Sequence, residues 1–206
     1  LDTLRRWRHR PYVETLGIVW LAFTLRVNAL ATREIWYDDA FSLFLARRDL
    51  ASVIAGAAAD DQPPLYYALL HLWQRIGDSP FIARFLSVII SMLVVAMAYA
   101  LARRRLSPRA ARNAALLTTF APFQIYHAQE IRMYALLALA LVAYAYAASG
   151  LIKKTNTTMG DQKIFFLLAF SGAIALYTHN LAILSLVAAD LFFLWRRDFA
   201  ALKKLI

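Results

Sequence analysis

The chain contains no cysteine. That absence excludes a disulfide framework, a thiolate nucleophile and a cysteine-based metal site. Charge is scarce too: Asp, Glu, Lys and Arg supply 17% of 206 residues, below the roughly 25% of a typical soluble domain. The alternation that marks a membrane β-strand is missing, which argues against a barrel, and no internal repeat emerges. Acids number 13 against 23 bases, for a net charge of +10. The bases gather in clusters between apolar runs and do not line one face, so the excess reflects membrane topology and not nucleic-acid binding.

What is present is apolar sequence, at 61% hydrophobic residues. A bilayer-crossing helix needs about 20 such residues, with a lower limit of about 17. Six runs qualify or come near, at 11–30, 81–102, 110–127, 131–150, 164–178 and 180–195, the last two being short. Lipid offers open backbone groups no partner, so all six are expected to be helices. The fold class is therefore all-α, a polytopic membrane helix bundle with a helical juxtamembrane loop at 31–80. The first run, with RRWRHR ahead of it and Ala29-Leu30-Ala31 behind, has the parts of a signal peptide but is retained here, and is read as a span. A first residue of Leu and an end at ALKKLI lead us to expect the N-terminal part of a longer protein, forming one transmembrane module over 1–206.

Lys and Arg collect on the cytoplasmic side of membranes. The clusters Arg5/Arg6/Arg8/Arg10, Arg103/Arg104/Arg105/Arg109/Arg112, Lys153/Lys154/Lys163 and Arg196/Arg197/Lys203/Lys204 fall on every second connection and hold 16 of the 23 bases. The other connections hold Glu34, Asp38, Asp39, Asp49, Asp60, Asp61, Asp78 and Glu130, 8 of the 13 acids. Both termini are thus expected in the cytoplasm, the acidic connections outside, and the protein in the cell membrane. Within 31–80, Pro63 and Pro64 precede an apolar stretch with Leu65, Leu69, Leu72 and Trp73 at helical spacing, too short to span. A helix over about 64–75 lying in the interface is expected, with Tyr66, Tyr67 and Trp73 at headgroup depth.

Three polar groups stand out on the outer connections. WYDDA at 36–40 places Asp38 and Asp39 side by side just past the first span, either as a general base with its neighbour or as two solvated loop charges. FQIYHAQEIRMYAL places His127, Glu130, Arg132 and Tyr134 within one or two turns of each other. Glu130 and Arg132 form an ordinary ion pair there, or Arg132 receives a phosphate on its planar fork while Glu130 orients an acceptor. Arg84 has the same phosphate reading beside plain snorkelling. His179, in YTHN, lies on the third outer connection. A divalent metal could draw on Asp38, Asp39, His127, Glu130 and His179, but their spacing matches no fixed ligand pattern, and no cofactor is implied. Glu14, Arg26 and Asp190 lie near span ends and receive no chemistry.

Together these segments resemble a known family. WYDDAFSLFLA looks like the acidic segment after the first span of GT-C type membrane glycosyltransferases. QPPLYYALLHLW is similar to their HPPLYY helix, AQEIRMYAL to SQEARMYAL, and YTHN to a Tyr-Thr-His stretch. The matches run in the family's order over most of 20–185, and the family's His before the Pro pair is Gln62 here. The closest branch looks like the protein O-mannosyltransferases and aminoarabinose transferases. That resemblance implies transfer of a sugar from a polyprenyl-phosphate donor to a hydroxyl of a protein or lipid acceptor at the outer face. It implies Asp38 as base, Asp39 and Glu130 as positioning groups, and Arg84 or Arg132 at the departing phosphate. Tyr134, Gln62, Tyr66 and His179 complete the expected substrate contacts. The alternative reading is a catalytically inactive relative that packs against other membrane subunits.

Overall fold

A computed structural model describes residues 11–151 and 160–195. Among them the chain is helical, without a strand: α1 (Pro11–Val27), α2 (Tyr37–Ala46), α3 (Leu50–Ala59), α4 (Leu65–Trp73), α5 (Pro80–Arg105), α6 (Pro108–Phe120), α7 (Pro122–Ala128), α8 (Tyr134–Ser149), α9 (Asp161–Thr178) and α10 (Ala182–Trp195). The clusters expected at 5–10 and 196–204, and Lys153 and Lys154, lie outside the described residues.

Ser-Pro pairs start two of these helices. Ser79 and Ser107 accept the backbone N–H of Ile82 and Ala110, while Pro80 and Pro108 sit in the first turn, where no N–H is needed. α5 is the central strut, 26 residues with an 18-residue stretch of mean hydropathy 2.4, and it is the helix among the described residues that is long and apolar enough to cross a bilayer. α8 and α9 are shorter apolar helices. α5 packs most extensively against α8 and α6, α8 against α9, and α1 against α5 and α6.

The structure departs from expectation in three places. The run 110–127 is not one helix but α6 and α7, broken at Ala121. Pro122 has no N–H for the Thr118 carbonyl four residues back. Arg26 fills that vacancy: fully buried, it donates from Nη2 to Thr118 O (3.2 Å), from Nη1 to Thr119 O (3.3 Å) and Ala22 O (3.2 Å), and from Nε to Ser91 Oγ (2.8 Å). So Arg26 does not snorkel; it joins α1, α5 and α6 across the break.

The connection 31–80 holds three helices, not one, and WYDDA is not loop: Asp38 and Asp39 sit in the first turn of α2, where carboxylates suit the helix dipole. Finally, Tyr66 and Tyr67 are fully buried inside the protein and do not face outward from it. α2, α3 and α4 fold over the upper ends of α5 and α8, forming the largest core cluster with Leu43, Val53, Leu70, Ala83, Ile131 and Met133. Trp73 ties α4 to the start of α5 through Nε1–H to Ile82 O (2.8 Å).

Candidate functional site

Two arginines meet the two adjacent aspartates, in opposite ways. Arg84, near the start of α5, is 1% exposed. It donates to the carbonyls of Leu30 (3.1 Å), Arg33 (2.8 Å) and Glu34 (2.7 Å), which fixes the turn after α1, and to Asp39 Oδ2 (3.2 Å). The other Asp39 oxygen accepts the backbone N–H of Ile131 at 2.8 Å. Asp39 therefore clamps α2 to both α5 and the AQEIR connection, in surroundings closed to solvent.

Asp38, one residue earlier, has a side chain 61% exposed. Arg132 Nη2 approaches its Oδ2 at 3.7 Å, beyond hydrogen-bond length. Arg132 Nη1 reaches the Tyr67 hydroxyl at 3.4 Å, and its Nε is shielded without a hydrogen-bond partner among the described residues. This guanidinium also meets the Tyr134 side chain, and its contacts to Asp38 and Tyr67 are longer than those Arg84 makes to its carbonyls. Burial raises the Tyr67 phenol above its ordinary pKa, and Arg132 pulls it the other way, so Tyr67 stands beside Arg132 as a neutral hydroxyl.

Glu130 is taken by His127, whose Nδ1 lies 2.6 Å from Oε2. The His127 ring is packed by Phe123, Tyr126 and Tyr134, with centroids at 4.1, 5.2 and 4.4 Å. Tyr134 in turn lies 6.0 Å from the His179 ring, and His179 Nδ1 accepts the Leu181 N–H (3.1 Å). Thus His127, Glu130, Tyr134 and His179 form one run of neighbours and Arg132, Tyr67 and Asp38 another, joined where Arg132 meets Tyr134. Gln62 lies apart, at the start of α4, and Tyr66 points into the core with its hydroxyl 3.3 Å from Ser87 Oγ. Among the described residues no three His, Asp or Glu side chains converge as a metal-binding group.

Sequence reasoning passed over Tyr67 as an arginine partner. It also missed Gln129, which donates to the carbonyls of Asn28 (2.9 Å) and Arg26 (3.2 Å) and accepts from Arg33 (2.9 Å). Those bonds bind the AQEIR connection to the end of α1. The signal for Tyr67 was its place beside Tyr66 in PPLYY; for Gln129 there was none beyond its type.

The family described as dolichyl-phosphate-mannose-protein mannosyltransferase matches residues 61–206, and the chain belongs to it. It is a membrane glycosyltransferase family of the mannosyltransferase kind, whose donor is a polyprenyl-phosphate-linked sugar. The match begins at Asp61, so Asp38 and Asp39 precede it. No curated protein and no solved structure matches the chain significantly.

Proposed function

We propose that the chain forms the donor and base site of a membrane glycosyltransferase that moves a sugar from a polyprenyl phosphate to an acceptor hydroxyl on the outer face. The observation that carries this reading is the contrast between the two arginines. Arg84 spends both Nη groups on three carbonyls and Asp39 in a pocket closed to solvent, whereas the Nη groups of Arg132 reach Tyr67 at 3.4 Å and the open Asp38 at 3.7 Å; the Nε of each arginine is without a partner among the described residues. A guanidinium with unused donors beside an open carboxylate is equipped to receive an anion without first breaking strong bonds.

In this reading Asp38 accepts the proton of the acceptor hydroxyl as its oxygen attacks the anomeric carbon. The bond from that carbon to the phosphate oxygen breaks, and its electron pair remains on the phosphate, which Arg132 holds with Tyr67 at its side. Asp39 and Arg84 fix the first turn of α2, which aims Asp38. Glu130, held by His127, and Tyr134 form the wall next to Arg132. The acceptor is a protein or lipid hydroxyl.

Six spans with both termini in the cytoplasm accord with this. The site lies at the Arg84 end of α5, while Arg104 and Arg105 at its other end donate to carbonyls of α8, Arg104 to Tyr146 (2.5 Å) and Arg105 to Ser149 (2.9 Å). About 20 residues of helix, roughly 30 Å, separate the two ends, the thickness of a hydrocarbon core. Neither the fold nor the family lends support to an inactive accessory subunit.

The test is steady-state transfer from polyprenyl-phosphate mannose by the full-length protein in lipid. Arg132→Ala should raise the donor KM, and Asp38→Asn should lower kcat with the donor KM kept. Loss of donor binding in Asp38→Asn with none in Arg132→Ala would reverse the assignment.

A further inference from the structure

The connector between α1 and α2 is gripped by two side chains from elsewhere in the chain. Arg84 donates to the carbonyls of Leu30, Arg33 and Glu34. Gln129 serves the other half: its Nε2 lies 2.9 Å from Asn28 O, 3.2 Å from Arg26 O and 3.4 Å from Leu25 O. Leu25 and Arg26 belong to the last turn of α1, whose carbonyls have no partner within the helix. Those of Thr24 and Val27 accept the N–H groups of Asn28 and Leu30, so Gln129 supplies the donors that α1 itself lacks. Arg33 decides which end of the amide does this. Its Nη1 donates to Gln129 Oε1 at 2.9 Å while its guanidinium lies 4.5 Å above the Tyr126 ring. A guanidinium offers no acceptor, so Nε2 faces the carbonyls. Between the two gripped halves Ala29 has φ 57°. A left-handed residue just past a helix is usually Gly; alanine takes that conformation against its own preference and needs its neighbours to hold it.

We propose that Gln129 is a positioning residue of the transfer site, one that sets the separation of Asp38 and Arg132. The inference rests on the proposed transfer function for the roles of those two groups. Each residue of the segment 129–132 is tied to a different helix. Gln129 binds the end of α1, Glu130 binds His127 of α7 (2.6 Å), the Ile131 N–H binds Asp39 of α2 (2.8 Å), and Arg132 reaches Tyr67 of α4 (3.4 Å). Fixing a helix against a segment takes ties at more than one point. The Ile131–Asp39 bond is one, in the first turn of α2; Gln129 adds another at the far end of the connector from which α2 hangs. With both in place, the Asp38 carboxylate and the Arg132 fork keep one mutual geometry. That matters because a displacement of about 1 Å at a reacting group costs about a hundredfold in rate. Gln129 itself meets neither donor nor acceptor and acts through the two groups that do.

The experiment uses the full-length protein in lipid. Gln129→Leu removes the donors, and Gln129→Glu keeps an oxygen for Arg33 while setting a second acceptor against the carbonyls. Both should lower kcat for transfer from polyprenyl-phosphate mannose by roughly ten- to a hundredfold, with a smaller change in donor KM; the glutamate variant gives the reading if the leucine variant does not fold. Position is read separately, by spin labels on Ala40→Cys in α2 and Gln124→Cys in α7, introduced into a chain that holds no cysteine. The parent should give one narrow distance distribution and the Gln129 variants a broadened one. Ala29→Gly, which removes the left-handed strain, divides positioning from stability. Added to a Gln129 variant, it should raise the thermal midpoint and leave kcat low. Recovery of kcat together with the midpoint makes Gln129 a stabilising residue only and overturns the proposal. A distribution that stays narrow, or transfer at the wild-type kcat, in the Gln129 variants overturns it as well. Slow transfer and a broad distribution in the Gln129 variants, beside wild-type transfer by Asp38→Asn, support the positioning role and remove Asp38 as the base, so the two failures are told apart.

Discussion

Asp39 lies 3.2 Å from Arg84 with both side chains almost sealed from solvent, while Asp38, its neighbour in the chain, points a mostly exposed carboxylate at Arg132. A period of 3.6 residues explains the divergence: consecutive positions on a helix differ by about 100°, so one faces the core when the other faces out. The adjacent pair is therefore two environments in sequence order, a buried clamp and an open carboxylate.

The clamp should be needed for folding. Removing one partner of a buried ion pair leaves the other charge uncompensated, at about 3–5 kcal/mol. Asp39→Ala should lower the thermal midpoint of the detergent-solubilised protein sharply, whereas the exposed Asp38→Ala should leave it within the error of measurement. Equal midpoints for the two variants would contradict this division.

Arg132 should be sensitive to shape as well as charge. Lysine keeps the charge but lacks the fork that reaches Tyr67 and Asp38 from separate nitrogens. Loss of one charge-assisted hydrogen bond is worth about 1.5–3 kcal/mol, so Arg132→Lys should weaken binding of polyprenyl phosphate by roughly ten- to a hundredfold. Unchanged affinity would remove Arg132 from the phosphate site.

Topology can be read directly in a cysteine-free chain. Ala51→Cys in α3 and Leu106→Cys after α5 replace exposed residues that make no side-chain hydrogen bond. An impermeant thiol reagent should label the first from outside and the second only after the membrane is opened. Labelling of both from one side would sink the arrangement in which α5 crosses.

Burial raises the Tyr66 phenol above the ordinary tyrosine value of 10.0, with Ser87 opposing weakly. A raised value means that folding favours the neutral form. That stabilisation is complete below about pH 10 and is lost as pH climbs through the folded-state value. Tyr66→Phe should move the onset of alkaline unfolding to higher pH, while losing about 1 kcal/mol at neutral pH with the Ser87 hydrogen bond. An onset that stays put or falls would show that Tyr66 does not govern it.

Much of this was legible in the sequence because it follows from periodicity and from residues with one job. The apolar runs mark α1, α5, α8, α9 and α10 to within a few residues, and Ser79-Pro80 and Ser107-Pro108 announce helix starts. The break at Pro122 was equally visible in FAPFQ, but an unbroken apolar count masks a missing N–H. What could not be read is which polar side chain turns inward. Nothing in WYDDA says that Asp39 finds Arg84, 45 residues on, while Asp38 stays open. Likewise Arg26 looks like a snorkelling residue until Thr118 and Thr119 appear beside it, because its partners are backbone carbonyls and carry no sequence signature. The helices in 37–59 carry little sequence signal, because alanine-rich AGAAA and a ten-residue amphipathic run have the composition of a connector.

In the proposed reaction Asp38 accepts the acceptor's proton. This is tested most directly by the single-turnover rate of sugar transfer from prebound polyprenyl-phosphate mannose, comparing the full-length protein with its Asp38→Asn variant in the same lipid. Asn keeps the shape and removes the basic oxygen, and general-base catalysis contributes about 10²- to 10⁴-fold. The account predicts a fall of that order with donor affinity and thermal midpoint retained. Transfer at the wild-type rate would contradict it.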